Sequence, residues 1–364
     1  MDHSDQSRIL EAGLMSVPSP PEQIEFLQKV QRLLSEGFFV ASYKFALLRS
    51  LADLAVLKGD DSGSELEISV NDIAMVFIKL YWRQTRPFCA LGNPQGQVLL
   101  QNTGQQAVII QTIASVQAEY RGSLSLLQHD PVRWKRLVSD VAKTVAIMPL
   151  WKLQRVGDEV VDFLYPNNGK GRSILLKPGV AYCLRNFYGI LRNLTEGAWV
   201  NFVRNQNLQV LGHSTDLGSF LFGAERVALN VYRPILVEVQ KDTCFYCHQP
   251  LRHKGDVDHF IPWSKYPADL GHNFVLAHVK CNGQKSDFLA AEEHLGAWVE
   301  RNNLHGRILN QFFAQARVAN SLEFSVSISR WAYSQTASAN GLVWIKDDVY
   351  QRLGSRWIAL LPGS

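Results

Sequence analysis

The chain has 364 residues, of which 46% are hydrophobic and 19% charged, with a formal net charge of +4. That is enough apolar material for one or two packed cores, and it excludes wholesale disorder. No apolar run reaches the roughly 18 residues of a membrane span, and Met1–Pro21 has no basic start followed by an apolar core. The expectation is therefore a cytoplasmic protein without membrane contact.

Residues 1–21 are polar, end in Val17-Pro-Ser-Pro-Pro21, and read as a flexible leader. A helical pattern then opens, with Ile24, Leu27, Val30 and Leu34 at helical spacing, followed by Leu47, Leu51 and Leu54. Lys58–Ser64 has the composition of a loop. Ser69–Gln84, Gln105–Tyr120 and Pro131–Ala146 read as further helices. Val160–Tyr165 and Ser173–Leu176, either side of the turn-rich Pro166–Gly171, predict a β-hairpin. Val180–Asn205 is helical, and Leu217–Gln240 is helical with a break near Pro234. Phe288–Asn302 and Leu304–Ala319 are two more helical patterns, and Trp344–Leu360 has mixed character. The expected fold is mainly α: a leader (1–21), a helical recognition or regulatory body with a small hairpin (22–240), a compact Cys/His module (241–303) and a helical extension (304–364).

The charge is unevenly spread. Residues 131–204 hold 12 Lys/Arg against 5 Asp/Glu, whereas residues 1–130 hold 10 against 14. Arg133, Lys135 and Arg136 surround Trp134, and Lys170 and Arg172 fall on the expected hairpin loop. Basic residues interleaved with an aromatic suit phosphate contact and base stacking. The competing reading is a solvated helical face with Trp134 in the core.

Three of the five cysteines, Cys244, Cys247 and Cys281, lie within 38 residues. Cys244 and Cys247 form one pair with an x2 gap, and His278 and Cys281 form another. Two such pairs about 30 residues apart supply the four ligands of a closed tetrahedral structural Zn²⁺ site; buried thiols without metal are the alternative. Between the pairs lies Asp256-Val-Asp-His-Phe-Ile-Pro262. A carboxylate beside an imidazole is not needed by zinc. It suits metal-assisted phosphodiester hydrolysis, with oxygen holding a hard ion and imidazole taking a proton from water.

With Asp258-His259, Asn273 in Asn-Phe-Val-Leu, and Asn282 in Cys-Asn-x-x-Lys, the segment resembles the HNH (ββα-metal) endonuclease family. Asp-Val-Asp-His and Lys-Ser-Asp also resemble the HNH domain of RNA-guided CRISPR nucleases. The resemblance covers about 45 residues. The third signature position is Asn rather than His, an HNN variant known among active members. The resemblance implies His259 as general base, Asp258 and Asn282 as ligands of one catalytic Mg²⁺ or Mn²⁺, and Asn273 as the tie that keeps His259 oriented. Lys285, one helical turn past Asn282, would face the phosphate, and Asp256 would share the strand face of Asp258. It also implies a hairpin at about 255–261 and 273–277, crossed by a helix from about 281. His248, His253 and His272 read as surface residues or phosphate contacts.

The function expected is a metal-dependent DNA endonuclease, with antiphage defence or mobile-element biology as its setting and a protein partner or activating ligand as a means of control. The alternatives are a zinc-stabilised nucleic-acid-binding module that does not cut, and an HNH nuclease directed at RNA or at junctions.

Overall fold

A computed structural model describes residues 17–90, 93–167, 171–211, 216–223, 229–252 and 254–361. Lys170, His253 and most of the leader lie outside the described residues. The fold is mainly helical, with small sheets of two or three strands. It divides into two compact units, Met1–Gly223 and Ala224–Ser364.

In the first unit, α1 (Pro20–Glu36) begins with a capping box in which the Ser19 N–H and hydroxyl both donate to Glu22. Two prolines occupy its first turn, where their missing N–H groups cost nothing. Its buried stripe is Phe26, Val30 and Leu33; of the predicted stripe Val30 is buried, whereas Ile24 is 58% exposed. Helix α2 (Tyr43–Lys58) is the centre of the unit: every residue from Lys44 to Val56 is buried. Around it pack α3 (Val70–Trp82), α4 (Pro149–Lys152), α5 (Val180–Asn186) and α6 (Tyr188–Gln206). Arg49 on α2 is buried, and its charge is met by Asp53 at 3.0 Å and by Glu196, with Tyr188 donating to Asp53 at 2.7 Å. Arg185 is likewise buried; it donates to the carbonyls of Ala55, Val56 and Gly59 and pairs with Asp61. Burying such charges is tolerated because each is paired and hydrogen-bonded.

The predicted hairpin across residues 160–176 does not form. Ser173–Leu176 pairs antiparallel with Leu66–Ser69, and Glu159–Val160 pairs with Arg155–Val156 across a tight turn at Gly157, φ +59°. The buried Gln154 side chain accounts for the difference. Its amide oxygen accepts the N–H groups of Phe163 and Leu164 at 2.9 and 2.6 Å, and its nitrogen donates to the Tyr165 carbonyl at 2.8 Å. That satisfies the backbone of 163–165 without a strand partner.

The second unit begins with α7 (Arg233–Gln240), which packs on the site hairpin described below. After the Cys/His segment comes α8 (Glu292–Gln315), an unbroken helix of 24 residues. The break predicted between Asn302 and Leu304 is absent: Asn302 is buried within the helix and accepts from Arg301 at 2.8 Å. The boundary expected at 303/304 therefore falls inside this helix. Helix α9 (Leu322–Ser338) follows. A three-stranded sheet follows, in which Leu342–Lys346 lies between Val349–Arg352 (antiparallel) and Leu289–Ala290 (parallel), and a short helix, Trp357–Leu360, comes after it.

Candidate nuclease and metal site

The Cys244-Phe-Tyr-Cys247 turn and the His278–Cys281 turn bring four ligand atoms within 4.8 Å of one another, the sole such His/Cys/Asp/Glu group among the described residues. Cys244 is fully buried, and the His278 N–H points at its sulfur at 3.4 Å. His278 Nδ1 faces Cys247 Sγ at 3.2 Å while Nε2 approaches the Pro250 carbonyl at 3.3 Å. Such an outer hydrogen bond fixes the tautomer that presents Nδ1 as a ligand. Burial, and then the adjacent Cys244 and Cys247 sulfurs, pushes the Cys281 thiol up to about 12. A cation among these sulfurs reverses that penalty. Three soft sulfurs and one imidazole nitrogen fit a metal of the zinc kind.

The strands Asp256–His259 (β1) and Phe274–Ala277 (β2) form an antiparallel hairpin, with Asp258 opposite Val275 and His259 opposite Phe274. The short helix Val279–Lys285 follows directly and packs on β1. This is the ββα arrangement the resemblance implied, though the helix has only seven residues. Successive strand residues face opposite sides, so Asp258 and His259 have different surroundings.

Asp258 is 7% exposed and accepts from the Tyr246 hydroxyl at 2.6 Å. Lys285, fully buried, places its ammonium 3.1 Å from the same carboxylate and donates to the His259 carbonyl at 3.0 Å. The lysine expected to face a phosphate is thus turned inward, where it clamps the Asp258-His259 dipeptide. Tyr246 lies between the two cysteines of the first knuckle, so the metal cluster and Asp258 are mechanically joined. Sequence reasoning passed over Tyr246, although its place inside a Cys-x2-Cys turn was a signal.

On the other face, His259 Nε2 lies 2.8 Å from Asp269 Oδ1. The imidazole contacts the Phe274 and Trp263 rings edge-on, at 4.7 and 5.5 Å. Asn273 is buried. Its Oδ1 accepts the Ile261 N–H at 2.8 Å, its Nδ2 donates to the Ile261 carbonyl at 3.0 Å, and its own carbonyl accepts from Phe260. It ties the strand just past His259 to the start of β2. Asn273→Ala leaves two buried backbone groups unpaired, at about 1–3 kcal/mol each. Denaturant unfolding should therefore show a loss of a few kcal/mol, and an unchanged midpoint would show that Asn273 does not hold this loop.

Helix α8 braces the same loop. Arg301 donates to the carbonyls of Phe274 and His272, both at 2.6 Å, Trp298 donates to His272 at 3.0 Å, and Trp298 stacks on Phe260 at 5.3 Å. His272 is fully buried and its ring meets Phe313 at 5.2 Å, which overturns its reading as a surface or phosphate-contacting residue. Burial, then Arg301, lowers its pKa to about 4, so it stays neutral. His248 is exposed, as expected, and Asp256 is exposed on the strand. Asn282 lies half-buried on the short helix, three residues before Lys285.

Residues 244–288 match the family model for HNH endonuclease. The chain carries an HNH endonuclease domain. No curated protein and no solved structure matches the chain. The HNH domain thus comprises both cysteine turns, the β1–β2 hairpin and the short helix, and it implies interaction with nucleic acid. Among the described residues, no helix is long and apolar enough to cross a membrane.

The residues expected to form a basic face lie outside this domain. Arg133 is bidentate to Glu119 at 2.6 and 2.9 Å, so its charge is largely neutralised. Lys135, Arg136 and Arg172 are exposed, and Trp134 is half-buried.

Proposed function

We propose that the protein is a metal-dependent endonuclease that hydrolyses phosphodiester bonds in DNA through His259. The match of the HNH family model to a hairpin that ends in a part-exposed His259 carries this reading. With Nε2 engaged by Asp269, the ring's other nitrogen, Nδ1, is the one that takes a proton from the attacking water. Asp258 and Asn282 offer oxygen donors, which suit a hard ion such as Mg²⁺ or Mn²⁺ better than zinc. Asp258 uses part of its acceptor capacity on Tyr246 and Lys285, and a carboxylate has about four lone-pair sites. When bound, such an ion neutralises charge at the scissile phosphate and the leaving oxygen. Lys285 holds the Asp258-His259 peptide in one conformation, so the carboxylate and imidazole keep their separate orientations. The four-ligand cluster, filled with Zn²⁺, staples the module. Antiphage defence or mobile-element biology, with a partner or ligand gating the site, is the setting we infer from the habits of the family.

Exposed basic residues meet the phosphates of DNA and RNA alike, so the choice of DNA is put to a direct test. The purified chain is given DNA and RNA of the same sequence with Mg²⁺ or Mn²⁺. Cutting of DNA supports the reading; cutting of RNA alone replaces it with an RNA-directed nuclease. Joint replacement of Arg133, Lys135 and Arg136 by alanine should weaken DNA binding. It should reduce the salt slope by about two, since Arg133 is already paired. An unchanged slope moves the binding face elsewhere.

A further inference from the structure

We infer that Asp269 is a positioning residue for His259, forming with it a carboxylate–imidazole pair that sets which ring nitrogen is free. This deepens the nuclease reading and rests on it. The contact is short, 2.8 Å, and both side chains are half-buried, with 17% of His259 and 15% of Asp269 exposed. Phe274 and Trp263 line the ring, so the carboxylate is its polar anchor. A neutral imidazole has one donor and one acceptor nitrogen. A carboxylate at Nε2 requires the proton there and leaves Nδ1 as the base. The outer partner of an imidazole fixes its tautomer in just this way.

The loop bearing Asp269 is held on both sides. Tyr266 before it is buried against Trp331, and the Ala268 N–H donates to the Tyr266 carbonyl at 2.9 Å. After it, the Gly271 N–H donates to Ala319 at 3.0 Å and the Asn273 N–H to Leu270 at 2.8 Å. Gly271 lies so close to Phe313 that a Cβ there would meet the ring at 2.6 Å, so a side chain at this position would push the loop away. Tyr232 lies near the carboxylate, and burial, with Asp269 second, raises its hydroxyl pKa, which keeps it neutral. The carboxylate is thus pre-set rather than drawn in by substrate.

The test uses the full chain and three variants: Asp269→Asn, Asp269→Glu and Asp269→Ala. Nitrogen-15 NMR of the His259 ring reads the tautomer without any turnover. The wild type should show a protonated Nε2 and a bare Nδ1. Asp269→Ala should show a mixture of tautomers, and Asp269→Glu should keep the wild-type form. In cleavage assays Asp269→Asn should lower kcat on the order of 10²-fold or more with KM unchanged, and Asp269→Glu should recover part of it. Identical ring-nitrogen shifts in the wild type and Asp269→Ala overturn the inference, as does a loss confined to KM. A tautomer change in a wild type that cuts nothing leaves the pairing established and fails the nuclease reading instead.

Discussion

Stripping the metal from the Cys244–Cys247–His278–Cys281 cluster, or replacing Cys244 by serine, should unfold the HNH module. The reason is the size of what the cluster holds. The hairpin has two strands of four residues and the helix has seven. Isolated hairpins and short helices are marginal in water. Structural zinc sites contribute about 10–16 kcal/mol of binding energy to folding in small peptides. Here helix α8 and the closing sheet brace the module through Arg301, Trp298 and Trp344, which lowers the loss below that figure. Tyr246 transmits the damage, because its ring contacts Trp344 at 5.2 Å and its hydroxyl holds Asp258. Metal analysis should find one Zn²⁺ per chain, and chelation should lower the melting temperature together with the near-ultraviolet signal of the buried aromatics. A metal-free preparation with an unchanged melting temperature would refute a structural zinc.

His259→Ala should remove cleavage while zinc content and DNA affinity stay unchanged. A positioned general base contributes about 10²–10⁴-fold. The separation of roles follows from the strand geometry: His259 and Asp258 face opposite sides, so truncating the imidazole leaves the Tyr246–Asp258–Lys285 cluster untouched. The structural effect is small because His259 is only partly buried, between Phe274 and Trp263. A variant that binds DNA, keeps its zinc and still cuts at the wild-type rate would remove His259 from the chemistry.

The metal cluster was legible in the sequence because tetrahedral coordination demands particular residue types at particular gaps. Cys244, Cys247, His278 and Cys281 meet that demand without help from the rest of the fold. The hairpin itself, though not its register, was legible for a similar reason, since Asp258-His259 is followed by Pro262 and Asn273 opens a second apolar run. Lys285 was misread because helical spacing fixes a face and not what lies beneath it; only the tertiary structure places the buried Asp258 carboxylate there. Asp269 carried no local signal, being one acidic residue in a loop whose proximity to His259 is set by Gly271, Tyr266 and Trp331. The failed hairpin near residue 173 has the same origin. Leu66–Ser69, more than 100 residues earlier, is the better partner once Gln154 has satisfied the intervening backbone. His272 shows the reverse error, in which a polar residue was assigned to the surface although the core enclosed it in neutral form.

The central claim is phosphodiester hydrolysis at His259, and the most direct measurement is a supercoiled-plasmid assay of the wild type beside His259→Ala. Both proteins are matched for zinc content and DNA binding and are assayed with Mg²⁺, with Mn²⁺ and with chelator. The account predicts nicked or linear product that depends on the divalent ion and appears with the wild type alone. Equal cutting by both proteins would contradict the assigned base. DNA bound but left intact by the wild type would leave the zinc-stapled module as a binding domain that does not cut.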